Sequence, residues 1–180
     1  MPPDSDGHGY RRFAARHGFH LSNTEIMRHL ELPVADDLLD RHAEHARPLW
    51  EGTYRLETHV GGVPEHLQQS LCAVMNQLAV DAPTGDIEFE EESLTPARYE
   101  EHLEVFRQQG RVRLTTVAVH RSTGDVVAYT DLMLPSGAPG LAWQWGTLVH
   151  REHRGHRLGM AVKVENLRSL QADHPERRRV

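Results

Sequence analysis

Residues 141–160 read LAWQWGTLVHREHRGHRLGM. The first nine, LAWQWGTLV, alternate and carry aromatic and β-branched side chains, which predicts a strand over 141–149. From 157 to 172, Leu158, Val162, Leu167 and Leu170 fall at helical spacing and predict a helix buried mostly on one side. Between them lies a short basic link, 150–156. A strand end, a turn with Gly155 and a helix start with Gly159 together make an anion site. The first N–H groups of a helix have no partner inside it, and its dipole adds positive charge there. Two glycines let a ligand approach the backbone, and Arg154 and Arg157 add guanidinium groups suited to phosphate oxygens. The predicted ligand is a phosphate or pyrophosphate; the plainer alternative is an ordinary strand-to-helix turn.

Working outward, 111–120 (RVRLTTVAVH) and 126–134 (VVAYTDLML) predict two strands joined by a hairpin turn at 122–125 (STGD). Thr95 followed by Pro96 is an N-cap and first helical residue for a helix to about Gln109, with Gly110 as its stop. Pro64 opens another helix of about four turns on Leu67, Leu71, Val74, Met75 and Leu78. Residues 53–60 (TYRLETHV) predict a strand and 81–86 (DAPTGD) a turn. From residue 53 the order is strand, helix, helix, three strands, helix, and a strand start at 178–180. This is an α/β (α+β) architecture on a mixed, mostly antiparallel sheet. Upstream, 1–9 read as disordered, 10–17 as a short helix closed by Gly18, part of 19–32 as a strand, 36–46 as a helix and 47–52 as a linker.

Composition narrows the function classes. The 180 residues carry a net charge of −6, with 38% hydrophobic and 26% charged residues. An acidic balance argues against a nucleic-acid partner. No run approaches the roughly 20 apolar residues of a membrane span. Nor does the start MPPDSDGHGY look like a signal peptide, so a cytoplasmic protein is expected. A single Cys72, set among apolar helix positions, excludes an internal disulfide and reads as a core residue rather than a nucleophile.

The link resembles the acetyl-CoA pyrophosphate loop of the GNAT superfamily of N-acetyltransferases: Arg or Gln, two residues, Gly, one residue, Gly or Ala. Arg154 takes the first place and Gly159 the last. Arg157 stands where the family usually has its first glycine, which means either an arginine-bearing variant of the loop or a less open turn. The resemblance covers 53–180 and implies a GNAT-like acyl-CoA N-acyltransferase fold. It assigns acetyl-CoA, as acyl donor, to Leu148, Val149, Arg154, Gly155, His156, Arg157, Leu158, Gly159 and Met160. Leu148 and Val149 would pair with the pantetheine arm through their backbone, and the amides of 154–159 would hold the pyrophosphate. The implied reaction moves an acetyl group to an amine of a small molecule or peptide. The alternative is a CoA-binding unit without turnover.

Two parts of the family's machinery are not where the resemblance puts them. The strand that often carries the base offers Trp143, Gln144, Trp145 and Gly146; the nearest acids are Asp131, Glu88 and Glu90. The family's acid, a tyrosine on a helix after a fifth strand, would fall beyond Val180. Residues 13–33 resemble the end of a GNAT domain. The resemblance thus implies a chain that starts in the tail of one unit (10–50, with linker) and ends inside the next (51–180, without its last strands and helix). A second GNAT unit or a homodimer is the implied partner; in a rival reading the early helix and strand replace the missing ones.

His150, His153 and His156 lie three apart, but a strand-to-helix bend converges imidazoles poorly, so no metal is expected. Trp143 and Trp145 read as core or as an acyl-pocket wall. The acids between Asp86 and Glu104 read as a solvated face or a rim for a cationic amine.

Overall fold

A computed structural model describes residues 7–22, 26–81 and 93–180, with side chains at 78–81 left aside. The chain divides into two compact units, 1–28 with 82–90, and 29–81 with 91–180. Within the first, α1 (Gly9–Arg16) ends as its sequence predicts. Gly18 takes φ +81, and the Phe19 N–H reaches the Ala14 carbonyl while the Gly18 N–H reaches Ala15. This crossed pair satisfies the last carbonyls of the helix.

The second unit is built on four antiparallel strands in the order β1-β2-β3-β4. They are β1 (Tyr54–Val60), β2 (Arg111–His120), β3 (Val126–Pro135) and β4 (Trp143–Val149). The helices are α2 (Asp36–Ala46), α3 (Glu65–Asp81), α4 (Pro96–Gln108) and α5 (Leu158–Asp173). Pro96 opens α4 behind Thr95, whose hydroxyl accepts from the Arg98 N–H at 3.3 Å. Gly110 closes the connection at φ +64.

Strand alternation sorts the core into two faces. Val117, Val119, Tyr129 and Leu148 meet Leu67, Leu71, Val74 of α3 and Tyr99 of α4. On the other face, Leu114, Leu132 and Leu134 meet Leu170, and Ala118 and Ala128 meet Leu158 and Val162, all from α5. Cys72 lies buried in the first cluster, and burial pushes its thiol up, as suits a core residue.

Three expectations change. No strand forms among the described residues of 19–32; only Glu31 bridges, antiparallel to Arg179. Phe19, Leu21, Ile26 and Met27 are exposed, so their alternation has no sheet face to bury. Nor do residues 178–180 start a strand of the sheet: Arg179 makes only isolated bridges, antiparallel to Glu31 and parallel to Leu141. Leu30 and Val180 exchange both backbone hydrogen bonds at 2.8 and 2.9 Å. Finally, β4 begins at Trp143 rather than Leu141, and its register against β3 shifts between Thr130 and Leu132. That bulge leaves Trp143 and Trp145 exposed, so neither is core.

Candidate functional site

The link at the end of β4 is a strand end, a tight turn and a helix start. His150 leaves the strand into a one-turn 3-10 helix, Arg151–His153. Gly155 then takes φ +88 and Arg157 takes φ +54 as the N-cap of α5. No side chain caps α5, and the first N–H groups of a helix have no acceptor inside it. Arg154 folds back, its Nε donating to the Val149 carbonyl at 3.2 Å.

The departure at Arg157 is resolved by its φ. The turn keeps the left-handed backbone that glycine favours, and an arginine holds it at a cost of about 1–2 kcal/mol. Arg157→Gly is therefore expected to leave stability unchanged or raise it by up to about 1 kcal/mol. It also removes a charge of about 1 kcal/mol, roughly a five-fold loss of affinity for a diphosphate ligand. Melting curves with calorimetric titration of CoA check both halves. Gly159 is less demanding: a Cβ there would meet Val149 Cγ2 at 3.6 Å, an ordinary contact.

Beyond β4 no fifth strand pairs along 143–149, so that edge is open among the described residues. The His150 N–H bonds the Val127 carbonyl across to β3 at 2.8 Å. Backbone groups alternate sides along a strand. The Leu148 N–H therefore turns inward with that of His150, and those of Thr147 and Val149 turn out to the open edge.

Behind the loop sits a cluster of rings. The Tyr54 hydroxyl and His153 Nδ1 are 3.0 Å apart, and His153 lies 5.5 Å from His120 and 5.7 Å from His150 between ring centroids. His156 anchors its Nδ1 to the Leu49 carbonyl at 3.1 Å. A cavity of about 430 Å³ opens beside His66, His120, His150 and His153, with Asp125 and Glu152 on its wall. Among the described residues no His, Cys, Asp and Glu group converges to hold a metal.

Burial, then the neighbouring His120 and His150, hold His153 below the ordinary histidine value. The folded state thus binds fewer protons than the unfolded one at and below about pH 6.5. Without ligand, stability should fall as pH drops through that window, and His153→Gln should flatten the fall. Thermal melts from pH 8 to 5 test this; an equal slope in the variant contradicts it.

Asp131 lies on β3 opposite the β4 bulge, and both of its oxygens are occupied. Arg113 holds Oδ2 in an ion pair, and the Thr115 hydroxyl donates to Oδ1 at 2.6 Å. Both Arg113 and Asp131 are buried. Burial opposes the charge of Arg113, and the Asp131 carboxylate more than offsets it, so its pKa is raised. Glu88 and Glu90, together with the turn 81–86 beyond Asp81, lie outside the described residues.

Two residues not singled out as functional lie near the bulge. The Tyr129 ring is buried, and its hydroxyl packs so close to Gly146 that a Cβ at 146 would lie 2.5 Å away. Burial raises the Tyr129 pKa and keeps it protonated. Lys163 of α5 donates to Gln144 Oε1 at 3.1 Å. Neither carries a motif, and only the register of β3 on β4 and of α5 on the sheet brings them here.

No family model and no curated protein matches the sequence. Among solved structures, a tandem GNAT protein from the clavulanic acid biosynthesis pathway, without AcCoA, superposes with a TM-score of 0.60 and 32% identity. The alignment covers 96% of this chain and 48% of that one, so this chain spans about half the length of the protein it matches. An acetyltransferase from Trypanosoma brucei aligns at 20% identity and a TM-score of 0.49, over 67% of this chain and 78% of that one.

Proposed function

Because the chain belongs to the GNAT superfamily, sharing its fold with a tandem GNAT protein over 96% of its length, we propose that it binds acetyl-CoA and transfers the acetyl group to an amine. The acceptor is an amine of a small molecule or peptide. The observation that carries the reading is the uncapped start of α5 behind a loop with two left-handed residues, Gly155 and Arg157. The amides of Arg154, Gly155, His156, Arg157, Leu158 and Gly159 would take the diphosphate, with Met160 in the first turn beside them. Arg154 and Arg157 supply charge.

The pantetheine arm would run along the open edge of β4, a row of unpaired backbone groups. There the outward N–H groups of Thr147 and Val149 are the donors this chain has for amides and for the thioester carbonyl. On this reading Val149 would pair with the arm through its outward backbone groups, while the Leu148 N–H turns inward and its side chain packs in the core. A direct transfer asks the protein for positioning and for a proton acceptor. We assign Asp131 to holding Arg113 and not to proton abstraction, since its carboxylate is fully buried and ion-paired.

A second reading, CoA binding without turnover, is favoured by one observation. The residues of β4 at the bulge, Trp143, Gln144, Trp145 and Gly146, include no proton acceptor. Thermal shift with acetyl-CoA, followed by thiol release with a panel of primary amines, separates the two. Stabilisation with release supports transfer, stabilisation alone supports binding, and no stabilisation at millimolar ligand contradicts both.

A further inference from the structure

Lys163 is the chain's one lysine, among twenty Lys and Arg residues. It sits half-buried on α5, the helix whose start forms the loop, and forms no ion pair with a described residue. Its partner is unusual in being neutral and fixed. The Gln144 amide nitrogen donates to Thr130 Oγ1 at 3.1 Å and to the Asp131 carbonyl at 2.8 Å. That leaves the Gln144 oxygen for Lys163 Nζ at 3.1 Å and sets which way the amide points. Thr130 in turn bonds Thr147 Oγ1 at 2.7 Å. The ammonium is thus held against the bulge of β4 by a hydrogen-bond chain with no carboxylate in it. Burial lowers its pKa, since desolvation penalises the charged form, and raises the share of neutral amine near pH 8.

The placement matters because β4 and α5 run back from the same loop. Lys163 is five residues past Leu158, about 7.5 Å along the helix. Gln144 is five residues before Val149, about 16 Å along the strand. An acyl-CoA whose diphosphate is held at 154–159 and whose arm follows β4 has its thioester end delivered toward Gln144. We propose that Lys163 is a self-acetylation site, modified by the acetyl-CoA bound to this same chain. The inference rests on the reading under Proposed function.

The step needs no further reactant. The neutral Nζ lone pair attacks the thioester carbonyl carbon, the N–C bond forms as the C–S bond breaks, and the sulfur leaves as thiolate. The proton lost by nitrogen ends on that sulfur, giving CoA and Nε-acetyl-lysine. The product keeps one N–H for Gln144 Oε1 and loses its charge. A desolvated lysine without an acidic partner is suited to this.

A sole lysine makes the test clean. The full 180-residue chain is incubated with acetyl-CoA at pH 8 and followed by intact mass and peptide mapping. In parallel, CoA is tested for thermal stabilisation. The expected result is one acetyl group, mapped to Lys163, appearing at least about ten-fold faster than in the same chain unfolded in urea or treated with acetyl phosphate. Lys163→Arg should show no acetyl-lysine. Stabilisation by CoA with Lys163 unmodified overturns the inference and leaves the CoA reading intact. So does an acetyl group that maps to the N-terminal amine, or that appears equally fast in urea. No stabilisation by CoA defeats the reading on which the inference rests, and the inference with it.

Discussion

Asp131→Ala is expected to destabilise the fold by about 3–5 kcal/mol, the usual cost of removing one partner of a buried ion pair. Arg113 would then hold a buried positive charge with Tyr99 and Met75 beside it and no carboxylate to compensate. Its Nε is already without a hydrogen-bond partner. The size of the effect depends on the mutation leaving a charge stranded, not on the pair being strongly stabilising. The double replacement Arg113→Met with Asp131→Leu should accordingly recover most of the loss. Urea unfolding of the parent and the two variants checks both statements. A loss under about 1 kcal/mol in Asp131→Ala would contradict the anchoring role and return Asp131 to the list of proton acceptors.

That pair also marks a limit on what the sequence can show. Arg113 and Asp131 sit on neighbouring strands in an arrangement that needs the register of β2 on β3. In the sequence alone, Asp131 is one more acid near the expected chemistry. The hairpin itself was legible, because two β-branched runs flank a four-residue turn of Ser, Thr, Gly and Asp. The cap of α4 was legible too, since Thr95-Pro96 acts locally. The failures have a different cause. The strand expected within 19–32 depended on a partner surface, and alternation is only meaningful where one face is buried. The exposure of Trp143 and Trp145 goes with a bulge, whose one sign in the sequence is Gly146 inside the strand run. Lys163 was visible as the odd residue among arginines, but its contact with Gln144 exists only once α5 lies on β4. The loop stands between these cases: its glycines and arginines were readable, while the left-handed φ of Arg157 was not.

The second large effect is expected at Gly155. At φ +88 a β-branched side chain is strained whatever the space around it, and the space here is open. Gly155→Val should therefore shift the loop backbone rather than create a clash, while α5 and β4 stay in place. Two or three amide contacts to a diphosphate, each worth about 1–1.5 kcal/mol, would be lost together. Affinity for CoA should drop by about 100-fold. Gly159→Ala, which only adds contact with Val149, should lose less than about five-fold. A variant at 155 that melts like the parent and still binds CoA normally would mean that the diphosphate is held elsewhere.

The two variants probe different things. Asp131 tests what holds the sheet together beneath the site, and Gly155 tests the site itself. The histidine and tyrosine rings behind the loop add a third dependence, because acidification acts on His153 from the side of β1 and β2 rather than from the ligand.

The central claim is that backbone amides at the start of α5 hold the diphosphate of CoA. Its most direct test is a comparison of CoA with pantetheine, which has the same arm and thiol but no phosphate, by thermal shift on the parent chain and on Gly155→Val. The predicted result is clear stabilisation of the parent by CoA, none by pantetheine, and loss of the CoA effect in the variant. Equal shifts from both compounds, or an undiminished CoA shift in a folded Gly155→Val chain, would contradict it.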